Sequence, residues 1–147
     1  MDFQLKDVAS QKGKVAIVTG ANIGLGYETT LGLVSKDVQV VMACRNFDKA
    51  HKAKSKILEQ YPEAQLEVIQ LDLGSFQSIR AFVKNFSAKY DRLDLLIENA
   101  GIMMPPFMKT EDGFESQFGV NHLGHFLLTN LLYPTIQKTS QARIITL

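Results

Sequence analysis

Short apolar runs that alternate with longer amphipathic stretches constrain the fold of this chain more than any other feature. The runs are rich in Val, Ile or Leu and predict five strands, at Lys14 to Thr19, Val38 to Ala43, Leu66 to Leu71, Leu93 to Glu98 and Arg143 to Leu147. This composition is typical of strands that are buried on both faces of a parallel sheet. The alternation of strand and helix patterns therefore predicts an α/β fold with a doubly wound parallel sheet.

Amphipathic stretches between the runs predict four helices. They are expected at about Gly24 to Ser35, Asp48 to Gln60, Phe76 to Tyr90 and Ser116 to Gln137. The third pattern is the clearest, because its apolar residues recur at steps of three and four and Ser75 stands before it as a candidate N-cap. The segment Gly101 to Gly113 contains two prolines and is predicted to be a long loop.

Length and composition indicate one globular domain. The chain has 147 residues, of which 46% are hydrophobic and 21% charged, so disorder and disulfide scaffolds are excluded. We expect a single domain over 1–147, with 1–13 as an N-terminal lead-in. A net charge of +1 gives no general field that would recruit nucleic acid.

The sequence gives no indication of membrane insertion or secretion. No apolar run approaches the ~18–20 residues that a membrane span needs. The first ten residues, MDFQLKDVAS, contain two acids and no apolar run, unlike a secretory signal. We therefore expect a cytoplasmic protein, and the lone Cys44 fits a reducing compartment, where it is interpreted as a small buried apolar residue.

Three glycines follow the first predicted strand, at the point where a helix begins. Gly20, Gly24 and Gly26 form a GxxxGxG pattern. Glycine lets the backbone close on a pyrophosphate, whose charge is met by unpaired N–H groups and by the positive end of the helix. Because a tight strand-to-helix turn can need glycine for packing alone, this pattern by itself leaves both interpretations open.

Further motifs occur in the order of a known family. TGANIGLG, ACRN, LDL, ENAG and GVNHLGHF together resemble the short-chain dehydrogenase/reductase family, from about Lys14 to Leu147. The segments ACRN, NAGIMM and GVNHLGHFLLTNLL are most similar to the retinol dehydrogenase-like branch that uses NADP(H). The resemblance implies a Rossmann sheet of order 3-2-1-4-5 and the reversible reduction of a ketone or aldehyde to an alcohol, with lipophilic substrates favoured.

The resemblance also assigns residues to a dinucleotide. The pyrophosphate would lie over the turn residues Gly20, Asn22, Ile23, Gly24, Leu25 and Gly26. Arg45 follows the second strand, where an acid would bind the ribose hydroxyls of NAD and an arginine would hold the 2′-phosphate of NADP. Arg45 therefore favours NADP(H), the alternative being a solvated arginine. Lys49 and the basic residues after it are interpreted mainly as the solvent-exposed face of a helix. Thr19 is interpreted as a residue that connects the ends of two strands.

Further residues are expected beside the adenine and the nicotinamide. Asp72 resembles the family residue that binds the adenine amino group, with Leu73 beside the ring; the alternative is a helix-capping aspartate. The other expected contacts are Asn99, Ala100, Gly101 and Val120. Glu98 stands where the family usually has Asn, and its carboxylate must be hydrogen-bonded or solvated, because burial alone would cost several kcal/mol.

Asn121 is the single catalytic candidate. In the family this position holds an active-site Asn whose main chain anchors a water of the proton relay, while the alternative is a satisfied polar residue on a half-buried helix. His122 and His125 could suggest a metal pair, but no third ligand is near in sequence and their apolar neighbours favour packing. No metal is expected.

The sequence contains no recognisable proton donor of the family type. Hydride transfer to a carbonyl needs a general acid, for which the family uses Tyr with Lys four residues later. The residues four after the tyrosines are Leu31, Gln65, Asp94 and Gln137, and the chain stops within the fifth strand. We expect the cofactor part of a truncated oxidoreductase that is inactive alone, or alternatively a non-catalytic NADP(H)-binding or scaffold protein. The fifth strand is an unprotected edge, so self-association is also expected.

Overall fold

Five parallel strands form one sheet in the order β3-β2-β1-β4-β5, as a computed structural model that describes residues 4–147 shows. The strands are β1 (Val15–Thr19), β2 (Gln39–Cys44), β3 (Leu66–Gln70), β4 (Leu95–Glu98) and β5 (Arg143–Thr146). The predicted doubly wound topology and strand order are confirmed. The crossover helices allow neighbouring strands to run parallel.

The register brings the carboxyl ends of the strands together at one edge of the sheet. Thr19 at the end of β1 lies opposite Ala43, and Glu98 at the end of β4 lies opposite Thr146. The order of the strands reverses between β1 and β4, since the chain crosses to the other side of β1 after β3. In open α/β sheets this edge, at this reversal, is where ligands bind.

Within the described residues, four α-helices cover the sheet. They are α1 (Gly24–Val34), α2 (Phe47–Gln60), α3 (Phe76–Ser87) and α4 (His125–Lys138). Ser75 caps α3 as predicted, because its Oγ accepts a hydrogen bond from the N–H of Ser78. The helix ends at Ser87, three residues before the predicted end at Tyr90.

Two hydrophobic cores lie on the two faces of the sheet. One face packs against α3 and α4, where Phe82, Phe86 and Leu128 are fully buried. The other packs against α1 and α2 and buries Val34 and Ile57. Each large apolar side chain contributes roughly 1.5–3 kcal/mol on burial, so the cores hold the sheet edge in a fixed shape.

The expectation that every strand is buried on both faces is wrong for the outer strands. All of β1 is buried, and so is β2 from Val40 onward, whereas β3 and β5 contain exposed residues. These two strands lie at the borders of the sheet, so each has a strand neighbour on one side only. Their Val and Ile content therefore reports strand propensity rather than complete burial.

The predicted helix from Ser116 to Gln137 is only partly α-helical. Residues Phe118–Gly124 form a wider π-helix, and the α-helix α4 begins at His125. Gly124 lies against Leu73, where a Cβ would collide with the Leu73 main-chain carbonyl. This close approach and the wide turn place Asn121 beside the loop that follows β4, and such π-helical turns occur frequently at functional sites.

Candidate functional site

The glycine turn between β1 and α1 has a backbone that other residues would strain. Gly20 and Gly24 have φ angles of +68° and +57°, in the left-handed region that favours glycine. A Cβ at Gly24 would meet nothing within 4 Å, so this part of the turn faces open space. The first turn of α1 has no side-chain cap and no acidic residue, which leaves its positive end available to an anion.

Gly26 serves a different purpose, because it is buried under the turn. A Cβ at this position would collide with the carbonyl of Gly20 and the side-chain amide of Asn99. The absence of a side chain thus lets α1 approach both β1 and the segment after β4. The sequence could not separate packing from ligand access, but the structure shows that Gly26 is needed for packing and that Gly24 leaves the turn open.

A first cavity of about 490 Å³ opens over the carboxyl ends of β1, β2 and β4. Its lining contains eleven of the predicted cofactor residues: Gly20, Asn22, Ile23, Leu25, Arg45, Asp72, Leu73, Asn99, Ala100, Gly101 and Val120. Gly24 and Gly26 belong to the same turn but are not part of the lining. Ile23 and Leu25 are 75% and 74% exposed, so two apolar side chains stand at the cavity without a cover.

Arg45 and Lys49 give one end of this cavity a positive charge. Both side chains are exposed and both residues line the cavity. The carbonyl of Arg45 accepts a hydrogen bond from Gln70 Nε2 at 3.1 Å, while Asn46 caps α2 by accepting from the N–H of Lys49 at 2.9 Å. Neither cation belongs to an ion pair within residues 4–147. Most of the basic residues after Lys49 are exposed on α2, as predicted.

Asp72 lines the first cavity and is held by a local turn. Its Oδ1 accepts a hydrogen bond from the N–H of Gly74 at 2.8 Å, and its own N–H donates to Ser78 Oγ at 2.9 Å. The helix-capping alternative is wrong, because Ser75 is the N-cap of α3. The Asp72 carboxylate therefore lines the cavity and does not serve as the N-cap of α3.

Thr19 joins β1 to the segment after β4, as predicted. Its Oγ1 accepts hydrogen bonds from the N–H groups of Asn99 and Ala100 at 3.0 and 2.9 Å. The side-chain Nδ2 of Asn99 donates to the Thr19 carbonyl at 2.9 Å. These bonds fix the floor that the two neighbouring cavities share.

A second cavity of about 580 Å³ adjoins the first and shares Leu25, Asn99, Ala100 and Gly101 with it. Asn121 lies in its lining. The Oδ1 of Asn121 accepts from the N–H of Ile102 at 2.9 Å and its Nδ2 donates to the Ile102 carbonyl at 2.8 Å. These two bonds fix the side chain of Asn121 against the loop after β4.

His125 is a residue of this site that the sequence interpretation missed. It was expected to pack among apolar neighbours, yet its ring makes polar contacts at both nitrogens while being only 5% exposed. Nε2 lies 2.9 Å from Thr19 Oγ1, and Nδ1 lies 3.1 Å from the carbonyl oxygen of Asn121. A separation of four residues from Asn121 was the available signal. His122, by contrast, is exposed and stacks with Phe118 and Phe126.

Glu98 and Cys44 are buried near the cavities. Glu98 is 8% exposed, and its Oε1 accepts a hydrogen bond from Thr129 Oγ1, so the carboxylate has the partner that burial requires. Cys44 is 1% exposed, and burial raises the pKa of its thiol to about 11. The thiol is therefore neutral at physiological pH, consistent with the interpretation as a small apolar residue.

The part of the chain that the structure describes contains neither a candidate metal site nor a candidate membrane-spanning helix. Within residues 4–147, no three His, Cys, Asp or Glu side chains are grouped so that they could hold a metal ion. None of the helices there combines the length and the apolar character that a membrane crossing requires.

The chain matches the model of a known protein family over most of its length. A model of the family described as short chain dehydrogenase matches residues 14–147. The chain belongs to this family.

Relatives of this short chain dehydrogenase family member include retinol and polyprenol dehydrogenases. Mouse retinol dehydrogenase 11 is 50% identical over 135 residues, which cover 92% of this chain and 43% of the relative. Polyprenol dehydrogenase of Danio rerio is 47% identical over 139 residues, covering 95% and 43%. The chain thus spans less than half the length of these curated relatives.

Solved structures of the family share the fold. A crystal structure of an uncharacterized protein from Mycobacterium paratuberculosis has a TM-score of 0.80 and 41% identity, over 92% of this chain and 47% of that one. A short chain dehydrogenase from Escherichia coli CFT073, complexed with NADPH, has a TM-score of 0.78 at 24% identity, over 90% and 57%. The second likeness bears on the fold alone.

Proposed function

We propose that this chain supplies the cofactor-binding part of an NADP(H)-dependent oxidoreductase that acts on a ketone, an aldehyde or the corresponding alcohol. The observation that carries the proposal is the first cavity, which combines an open glycine turn at one end of α1 with two exposed cations at its rim that form no ion pair within residues 4–147. A dinucleotide phosphate needs both features, because its pyrophosphate is neutralised by backbone N–H groups and its 2′-phosphate by side-chain cations.

The residues present fit such a cofactor. The turn at Gly20 and Gly24 would hold the pyrophosphate, Arg45 and Lys49 the 2′-phosphate, and Asp72 the adenine. Asn99, Ala100 and Gly101 lie between the two cavities and would line the nicotinamide end. The bound nicotinamide supplies or accepts hydride; the protein supplies orientation and charge.

The second cavity is the proposed site of the carbonyl or alcohol substrate. It adjoins the nicotinamide end and contains Asn121, and its lining includes the apolar residues Leu25, Phe126 and Ile144. Apolar walls favour a lipophilic substrate. The retinol and polyprenol dehydrogenases among the relatives have names that point in the same direction.

Cofactor selectivity tests the proposal at Arg45. Fluorescence titrations of the 147-residue chain should give tighter binding of NADPH than of NADH by roughly ten- to a hundredfold, because charge-assisted hydrogen bonds contribute about 1.5–3 kcal/mol. Arg45→Asp should abolish or reverse this preference. Arg80→Asp is the matched control, since Arg80 is exposed on α3 and does not line the cavity, and it should leave the preference intact. Equal affinities of the unaltered chain for both cofactors would contradict the assignment.

A second candidate function is a non-catalytic NADP(H)-binding or scaffold role, favoured by one observation. None of the four tyrosines in the 147 residues has Lys four positions later, so the proton donor that the family uses is not among them. Incubation of the intact native protein with NADPH and a panel of aldehydes and ketones separates the two candidates, since NADPH binding without turnover would support the scaffold role. Turnover above the protein-free rate would support an enzyme, and we expect none from these 147 residues alone, because loss of a positioned acid costs about 10²–10⁴-fold in rate.

A further inference from the structure

The imidazole of His125 connects two segments that are distant in sequence. It lies on the first turn of α4, and its two ring nitrogens face Thr19 on β1 and the main chain of Asn121 in the π-helix. The residue is buried, so water does not compete for these contacts. Each of the two contacts bears on which ring nitrogen carries the imidazole hydrogen.

The contact with Asn121 determines one end of the ring. A carbonyl oxygen only accepts hydrogen bonds, so Nδ1, at 3.1 Å from it, must carry the hydrogen. The backbone N–H of His125, which would bond to this carbonyl in a regular α-helix, donates instead to the carbonyl of His122. The wide turn thus leaves the Asn121 carbonyl to the imidazole.

The contact with Thr19 determines the other end independently. Thr19 Oγ1 already accepts two hydrogen bonds, from the N–H groups of Asn99 and Ala100, which fill both of its lone pairs. Its own hydrogen is therefore donated, and Nε2 of His125 at 2.9 Å is a better placed acceptor than the Ile97 carbonyl at 3.5 Å. Nε2 must then be without a hydrogen, in agreement with the Asn121 end.

We propose that His125 is a positioning residue, locked as the Nδ1–H tautomer, that carries a continuous hydrogen-bond chain from Asn99 and Ala100 through Thr19 to the Asn121 carbonyl. The imidazole N–H occupies one lone pair of that carbonyl oxygen, and the other lone pair points away from the imidazole. The role of the second lone pair in a proton relay rests on the proposed function; the hydrogen-bond chain itself does not. Successive hydrogen bonds of this kind strengthen one another.

The tautomer is measurable by nitrogen NMR on the uniformly 15N-labelled 147-residue chain. The chain has three histidines, and the other two, His51 and His122, are exposed and serve as internal controls. We expect His125 alone to show a protonated Nδ1 and an unprotonated Nε2. Its imidazole hydrogen should exchange with water at least about tenfold more slowly than those of the controls, because a hydrogen bond must open first. An Nε2–H form, or a mixture of tautomers at His125, would overturn the proposal.

A pair of variants tests the link to Asn121. The carbonyl 13C signal of Asn121, in 13C-labelled protein, should shift in His125→Phe, which removes the donor, and should stay unchanged in His51→Phe, which replaces an exposed histidine on α2. Equal shifts in both variants would contradict the link. If His125→Phe does not fold, the tautomer of the unaltered chain still decides the proposal. NADPH titration of the same samples keeps the two proposals apart: an Nδ1–H tautomer without NADPH binding would remove the proposed function and leave this inference standing.

Discussion

At the scale of single residues, the site depends on places where a side chain is missing as much as on those where one is present. Gly24 leaves the turn open to a ligand, whereas Gly26 lets α1 close on β1 and Asn99. Arg45 and Lys49 then supply charge at the far end of the same cavity. Residues that a sequence pattern groups together as one glycine motif thus have separate physical roles.

Gly26 is predicted to be intolerant of even a methyl group. In Gly26→Ala the added Cβ would collide with the Gly20 carbonyl and the Asn99 amide, neither of which can move without breaking the turn. We expect the free energy of unfolding in urea to fall by about 1–3 kcal/mol, the usual cost of overpacking. Gly32→Ala is the control, since Gly32 also lies in α1 and its added Cβ would meet only Leu5 Cδ2 at 3.6 Å. We expect this variant to be neutral or stabilising, because Ala has a higher helix propensity than Gly. Equal losses in both variants would contradict this reading.

At the scale of elements, strands and helices were predictable wherever local patterns determine them. The Val- and Ile-rich runs predicted five strands to within two residues at every end, and Ser75 predicted the start of α3. The π-helix at Phe118–Gly124 was not predictable, because it accompanies the contacts of Asn121 with Ile102 and of Gly124 with Leu73, which are distant in sequence. The hydrogen bond between His125 and Thr19 escaped prediction for the same reason.

A buried carboxylate joins two elements at the opposite edge of the sheet. Asp94, just before β4, accepts hydrogen bonds from the N–H of Val15 at 2.9 Å and from Arg92 at 2.6 Å. Burial raises the pKa of Asp94, but the bonds from Arg92 and Val15 outweigh it, and the net pKa lies below the usual value. Asp94 therefore stabilises the fold at neutral pH.

The pH dependence follows from the direction of this shift. The contribution of Asp94 should be fully present above the unfolded pKa of about 3.9 and should be lost as the pH falls through the lower folded pKa. Asp94→Asn should cost about 1.5–3 kcal/mol of unfolding free energy at pH 7, and the difference from the unaltered chain should shrink in acid. Urea unfolding between pH 7 and pH 2 measures this, with the exposed Asp91→Asn as the control. A difference that does not change with pH would contradict the assignment.

At the scale of the whole molecule, apolar surface remains uncovered beside the second cavity. Phe126 on α4 is 62% exposed and Ile144 on β5 is 41% exposed, and both line this cavity. Tyr133 and Phe118 extend the exposed apolar surface along the same helical segment. A sheet border and an apolar helix face of this kind favour association with a further chain segment or a second copy.

Self-association of the 147-residue chain is therefore predicted. Sedimentation velocity should show an average mass that rises with protein concentration, and Phe126→Lys should reduce the rise, because it places a charge in the exposed apolar surface. Lys84→Ala, on the outer part of α3, is a control that should leave the rise unchanged. A clean monomer at high concentration would show that this surface does not bind a second copy.

We propose that a dinucleotide phosphate binds over the carboxyl ends of β1, β2 and β4. Amide chemical shifts of the 147-residue chain, recorded by NMR during titration with NADPH, test it most directly because they report both affinity and place. We expect saturable shifts in the turn from Gly20 to Gly26, at Arg45 and Lys49, and in the segment from Asn99 to Gly101. Residues at the opposite edge of the sheet, such as Asp94 and Gln141, should be unaffected. Saturation with shifts centred elsewhere, or no shift at millimolar NADPH in a folded chain, would contradict it.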